Sequence, residues 1–238
     1  MEIDMPNVLS LSRVRLDKNS LLTEAYSRTL SKREIRHVME EGGSVRSEVE
    51  HCLGVALQCV EALSEPAGLI REVSAEKMNH GVRLGGRDVI DNVKMHDDLT
   101  QGAQASIYLA TCGYDSRKAL RWLEGDYSIY HFQSMIGREL LYAIGRQLFI
   151  NMKEDFPLRH FSRYAIKMEK EYFGDGVTDT VSLMPDYWDA RKVFSLLDFF
   201  EKNDLGITAT DSGCLSPVHS LLGVMMSVPV DGSPLARN

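Results

Sequence analysis

The chain has 238 residues, a formal net charge of -7, 44% hydrophobic and 26% charged residues. That is the composition of a globular protein large enough to bury its own core. The acidic balance argues against a generic nucleic-acid binder and against an anionic membrane surface, both of which call for basic footprints.

In chain order, residues 1–29 read as an extended or strand-containing lead-in, with Leu9, Leu11, Val14 and Leu16 loosely alternating. Ser31 and Glu34 have the spacing of a capping box, with Ile35, Val38 and Met39 as the apolar face of a short helix that Gly42-Gly43 ends. A helix over residues 44–63 is predicted by Val45, Val49, Cys52, Leu53, Ala56, Val60 and Leu63 at three-and-four spacing. Residues 64–87 give no clear period, broken by Glu65-Pro66 and Gly85-Gly86. Residues 88–98 carry a short apolar set and then an acidic cluster.

Residues 105–111 (ASIYLAT) predict a buried strand, and Asp115 or Ser116 caps a helix over 117–124. A long amphipathic helix follows over 128–150, with Pro157 as a boundary. Residues 161–173 read as helical and 174–179 as a turn-rich loop. The last helix spans 186–202, with Ala190, Val193, Phe194, Leu197 and Phe200 facing inward. Two strands, 205–210 and 221–228, follow around a loop at 211–219, long enough for a functional role. No linker stands out, so residues 1–230 are expected to form one α+β domain and residues 231–238 a disordered tail.

The four cysteines, Cys52, Cys59, Cys112 and Cys214, form no CxxC pair and no zinc spacing, and are expected to be mostly buried thiols. No signal segment or bilayer-length apolar run occurs, so a cytoplasmic protein is expected. His96-Asp97-Asp98 reads as a solvated face rather than a metal site, and no metal is expected. Cys112 lacks the flanking glycines of a nucleophile elbow, where Ala110 and Tyr114 stand instead. No catalytic residue emerges.

Several landmarks occur in a definite order. They are the helix at 45–63, Ala110-Thr111-Cys112-Gly113, Gly137 on the long helix, and Pro185-Asp186-Tyr187. After these come a Lys-x-Phe-x-Leu-Leu helix at 192–197, Gly206-Ile207-Thr208, Thr210-Asp211-Ser212, and Pro217 with Ser220. This order, over residues 30–228, resembles the activation (reactivation) domain of vitamin B12-dependent methionine synthase, as a free-standing single-domain relative.

The resemblance implies a curved, mainly antiparallel sheet flanked by helices. It implies an accessory protein that reactivates a cobalamin (corrinoid)-dependent methyltransferase by supporting reductive methylation of cob(II)alamin with S-adenosylmethionine. The cobalamin would sit on a partner methyltransferase or corrinoid protein, and a flavodoxin or ferredoxin would supply the electron. By the same resemblance, Ser182, Met184, Pro185, Asp186 and Tyr187 line the cofactor-binding turn. There the family's carboxylate-gripping arginine falls on Ser182 and its glycine on Asp186, while Pro185 and Tyr187 are retained. Tyr142 falls where the family places an acidic partner for the ligand's amino group.

Two readings stay open. One is a working S-adenosylmethionine site. The other is a non-catalytic homologue that docks to a corrinoid protein or binds a different small molecule, its site degenerate. Locally, Tyr187 either stacks on a ligand or is a helix-start aromatic beside Trp188, and Asp186 either lines the turn or caps the helix. Asp211, Ser212 and Ser216 either face a cleft or make turn hydrogen bonds.

Overall fold

The computed structural model describes residues 11–167 and 190–229, apart from 15, 80, 88, 91–92, 101, 158, 201–204 and 212–213. The turn at 182–187 and the tail at 231–238 lie outside the described residues, so the expectations placed on them stay with the sequence.

A five-stranded antiparallel sheet organises the chain. Its strands are β1 (Leu11–Arg13), β2 (Ala67–Val73), β6 (Gln104–Thr111), β10 (Ser220–Pro229) and β7 (Arg159–Lys167), in the order β1-β2-β6-β10-β7. β6 and β10 are apolar on both faces because each face meets its own core. Ile107, Leu109, Leu222 and Val224 pack into one core. Tyr108, Ala110, Leu221 and Met225 pack into the other.

On the second of these faces lie α1 (Lys18–Leu30), α3 (Gly43–Leu63), α5 (Ser116–Trp122) and the long α6 (Tyr127–Asp155). On the first lie α4 (Val93–Asp98), α7 (Ala190–Leu197) with a 3-10 turn at Asp198–Phe200, and a small antiparallel sheet. The strands of that small sheet are β3 (Ala75–Met78), β4 (Gly81–Leu84) and β5 (Val89–Ile90). The expected α+β architecture, an antiparallel sheet flanked by helices, is the one observed.

Local chemistry explains the helix ends. Asp17 accepts from the Asn19 amide at the start of α1, and Asp126 accepts from the Ser128 and Ile129 amides at the start of α6. Asp115 caps α5 in the same way through the Lys118 amide, at 2.7 Å. Lys18 Nζ donates to the Glu61 and Ser64 carbonyls, supplying a cation to the C-terminal end of α3. Polar pairs tie α6 to its neighbours, with Lys32 Nζ 2.7 Å from Glu139 and Arg146 2.8 Å from Glu24.

Several sequence expectations are corrected. Residues 18–30 are a helix rather than an extended lead-in, because Leu21, Leu22, Ala25 and Thr29 form a buried helical stripe. Ser31 does not cap the following helix, α2 (Arg33–Glu41). It is spent closing α1, where its hydroxyl donates to the Arg28 carbonyl, and α2 has no side-chain cap. Residues 161–167 are strand, not helix, because β10 offers a long edge for pairing. At the start of that strand, Arg159 is buried and donates to Ser227 Oγ at 2.7 Å and to the Gly102 carbonyl at 2.9 Å.

Within the described part of the predicted helix, α7 gives way to the 3-10 turn at Asp198, and Phe194 faces outward, with Leu196 taking the buried position between Val193 and Phe200. The strands predicted around the 211–219 loop do not pair with each other. β8 (Thr208–Ala209) pairs with β9 (Leu215–Ser216), whereas β10 pairs with β6 and β7. Of the cysteines only Cys59 and Cys112 are buried, while Cys52 is half-buried and Cys214 exposed. Among the described residues no helix is long and apolar enough to cross a membrane.

Candidate functional site

The structure brings three of the sequence landmarks to one place, the C-terminal end of β6. The loop before β10 carries Pro217 and His219, and Ser220 opens β10; β6 ends in Thr111, with Cys112 next; α6 passes beside them at Gly137. The Cys112 amide donates to the His219 carbonyl at 2.9 Å, and Ser220 Oγ donates to Thr111 Oγ1 at 3.0 Å. Thr111 Oγ1 in turn receives the Gly113 amide at 3.0 Å. These bonds extend the β6–β10 ladder past its last paired residues and hold the loop against the sheet.

Side chains close the same corner. Gln133 Nε2 donates to the Tyr114 hydroxyl at 2.7 Å, and the Tyr114 and His219 rings are 5.4 Å apart. Both reach the backbone of α6 at Gly137, where a Cβ would collide with the Tyr114 hydroxyl and come within 2.9 Å of His219 Nε2. A glycine inside a helix ordinarily costs about 1 kcal/mol. Here it makes room for the two rings. Cys112 Sγ donates to the Gly137 carbonyl at 3.4 Å.

The electrostatics of this cluster are those of a dry interior. Burial, with a smaller contribution from Arg138, lowers the His219 pKa to about 4, so the imidazole is neutral at physiological pH. Burial pushes the Tyr114 hydroxyl and the Cys112 thiol well above their ordinary values. Gln133 is fully buried and His219 is only 4% exposed. Through these contacts the three groups fix the loop before β10 against the end of β6 and the backbone of α6.

The residues predicted to bind ligand are distributed differently. Ser182, Met184, Pro185, Asp186 and Tyr187 lie outside the described residues, as does Ser212. Asp211 and Ser216 are exposed, Ser216 pairing with Thr208 in the small β8–β9 ladder. Tyr142 is buried in α6, where burial raises its hydroxyl pKa, so at that position the chain carries a neutral phenol and no carboxylate. An open cleft of about 450 Å³ lies between β1, β2 and the last turn of α6, lined in part by Arg13, Glu72, Glu154 and Asp155. Among the described residues, the predicted Tyr142, Asp211 and Ser216 are not part of its lining.

Sequence reasoning did not single out His219, Tyr114 or Gln133. The available signals were Gln133 interrupting the apolar stripe of α6 and His219 lying between Pro217 and Ser220.

No family model and no curated protein matches this chain. Its fold does match a solved structure. The crystal structure of the MetH reactivation domain bound to AdoHcy aligns over 97% of this chain and 80% of that one, with a TM-score of 0.59 and 14% identity. At that identity the likeness establishes a shared fold.

Proposed function

We propose that this protein is an accessory to a cobalamin-dependent methyltransferase, supporting reactivation of oxidised cobalamin on a partner protein. The single observation that carries the reading is the whole-chain fold likeness to a MetH reactivation domain bound to AdoHcy. The order of sequence landmarks supports it independently of that superposition. AdoHcy is what remains of S-adenosylmethionine after its methyl group leaves, so a related ligand is the natural first candidate here.

In this reading the turn at 182–187 holds the ligand and the chain presents the sulfonium methyl to cobalt on the partner. An electron from a flavodoxin- or ferredoxin-like donor reduces cob(II)alamin. The methyl then passes from sulfur to cob(I)alamin, leaving AdoHcy. Such a role rests on proximity and needs no protein nucleophile.

A second reading is favoured by two residues. Ser182 cannot form the bidentate, charge-assisted pair an arginine makes with a carboxylate, and Asp186 adds a like charge beside one. The protein would then dock to a corrinoid protein without using S-adenosylmethionine.

Thermal denaturation with AdoHcy or S-adenosylmethionine separates the two. Ligand at 100 times its dissociation constant adds about 2.7 kcal/mol, or roughly 5–11 °C for a chain of this size. A shift supports the first reading. No shift at millimolar ligand, together with capture of a cobalamin-loaded methyltransferase, supports the second. Failure of both ligand binding and capture removes the proposal.

A further inference from the structure

The corner at Gly137 closes with its hydrogen bonds out of balance. Gln133 is fully buried on α6, and an amide side chain brings both N–H donors and an acceptor oxygen. Its Nε2 donates to the Tyr114 hydroxyl, but its Oε1 is equally buried and has no partner among the described residues. The Tyr114 hydroxyl accepts that bond, and its own proton meets no acceptor among the described residues. His219 is 4% exposed, and its ring nitrogens make no hydrogen bond among the described residues. A neutral imidazole carries one N–H donor and one acceptor nitrogen. The amide oxygen, the phenol proton and the imidazole are therefore all unsatisfied in one closed corner.

These groups lie close together. His219 Nε2 is 2.9 Å from the point a Cβ on Gly137 would occupy, and the Tyr114 hydroxyl is nearer still. Gln133 Nε2 is 2.7 Å from that hydroxyl, and Oε1 belongs to the same amide. Polar atoms flanking one point so closely are within two hydrogen-bond lengths of each other, the span that one bridging water covers. Buried polar groups without a protein partner are the usual hosts of internal water, which makes about three hydrogen bonds. An apolar guest would satisfy none of these groups. An ion would meet neutral side chains in a desolvated corner, which is costly. His219 keeps a small accessible surface, so a water-sized sphere still touches that residue.

We propose that Gln133, Tyr114 and His219 form a site for a single internal water. The water donates to Gln133 Oε1, accepts the Tyr114 proton and bonds a ring nitrogen of His219. It ties α6, the segment after β6 and the loop before β10 together where the side chains make too few direct bonds to do so. This water site stands whether or not the proposed function does.

A crystal structure of the whole chain, at a resolution that shows ordered water, tests this on wild type and on Gln133→Leu. Wild type is expected to hold one water within hydrogen-bond distance of Gln133 and of His219 or Tyr114. Gln133→Leu offers a similar volume and no polar atom, and is expected to lose that water. In solution, a nuclear Overhauser effect from the Gly137 α-protons to a long-lived water should appear in wild type and disappear in the variant.

Empty wild-type density between these side chains overturns the proposal. So does a Gln133 amide found bonded directly to His219 or to a carbonyl, with no water beside it. Water that persists unchanged in Gln133→Leu overturns the assignment to the amide oxygen. If Gln133→Leu does not fold, the wild-type density and Overhauser effect decide alone.

Discussion

His219 makes this protein's stability depend on pH in a calculable way. In the unfolded chain an imidazole takes up its proton near pH 6.5. In the folded chain burial defers that step to about pH 4. Between these values the unfolded state binds more protons, so stability is full above about 6.5 and falls as pH drops toward 4. Each tenfold change in proton affinity is about 1.4 kcal/mol, so the full effect is about 3 kcal/mol and about 2 kcal/mol is already lost at pH 5.

Urea unfolding of wild type and His219→Gln at pH 8 and pH 5 isolates this contribution, because the other titrating groups are common to both. The variant is expected to lose about 2 kcal/mol less than wild type over that interval, whatever its stability at pH 8. Equal losses in the two proteins would refute the argument that His219 is neutral because it is buried. A histidine proton resonance assigned to His219 and titrating near pH 6.5 would refute it equally.

Three further outcomes follow from the structure and the proposed ligand turn. Gly137→Ala gains about 1 kcal/mol of helix propensity but drives a methyl into Tyr114 and His219, at a cost of about 1–3 kcal/mol for overpacking. A net loss, seen by calorimetry as a melting temperature lower by a few degrees, is expected; a higher melting temperature would show that the two rings yield. Leu222→Ala removes a fully buried side chain from the core on the α7 face of the sheet and should cost about 2–5 kcal/mol in urea unfolding, with m unchanged. Ser182→Arg supplies a bidentate cation to the proposed ligand turn and should tighten AdoHcy binding about tenfold or more by calorimetry; an unchanged affinity would mean that residue 182 is not a carboxylate-gripping position.

Much of the fold is determined locally. Residues 43–63 and 127–155 are helical and 104–111 are strand because each segment is long and carries its own periodicity and punctuation. Asp115 as a cap and Gly42 as a stop were legible for the same reason, since capping involves groups within a few residues. Ser31 shows the limit of that logic. Its spacing to Glu34 fits a capping box, yet the end of α1 claims its hydroxyl first, and α1 was hidden by a weak apolar pattern.

The rest was decided by partners distant in sequence. Residues 159–167 are strand because β10 lies beside them, although by its own pattern the segment 161–173 reads as helix. The Tyr114–Gln133–His219 corner draws on β6's end, α6 and the loop before β10, and Arg71 and Arg87 meet residues 198–199 only across the fold. Spacing along a chain carries no information about which buried polar groups will meet across it. Those pairings are chosen when the sheet register forms and every buried donor must find an acceptor.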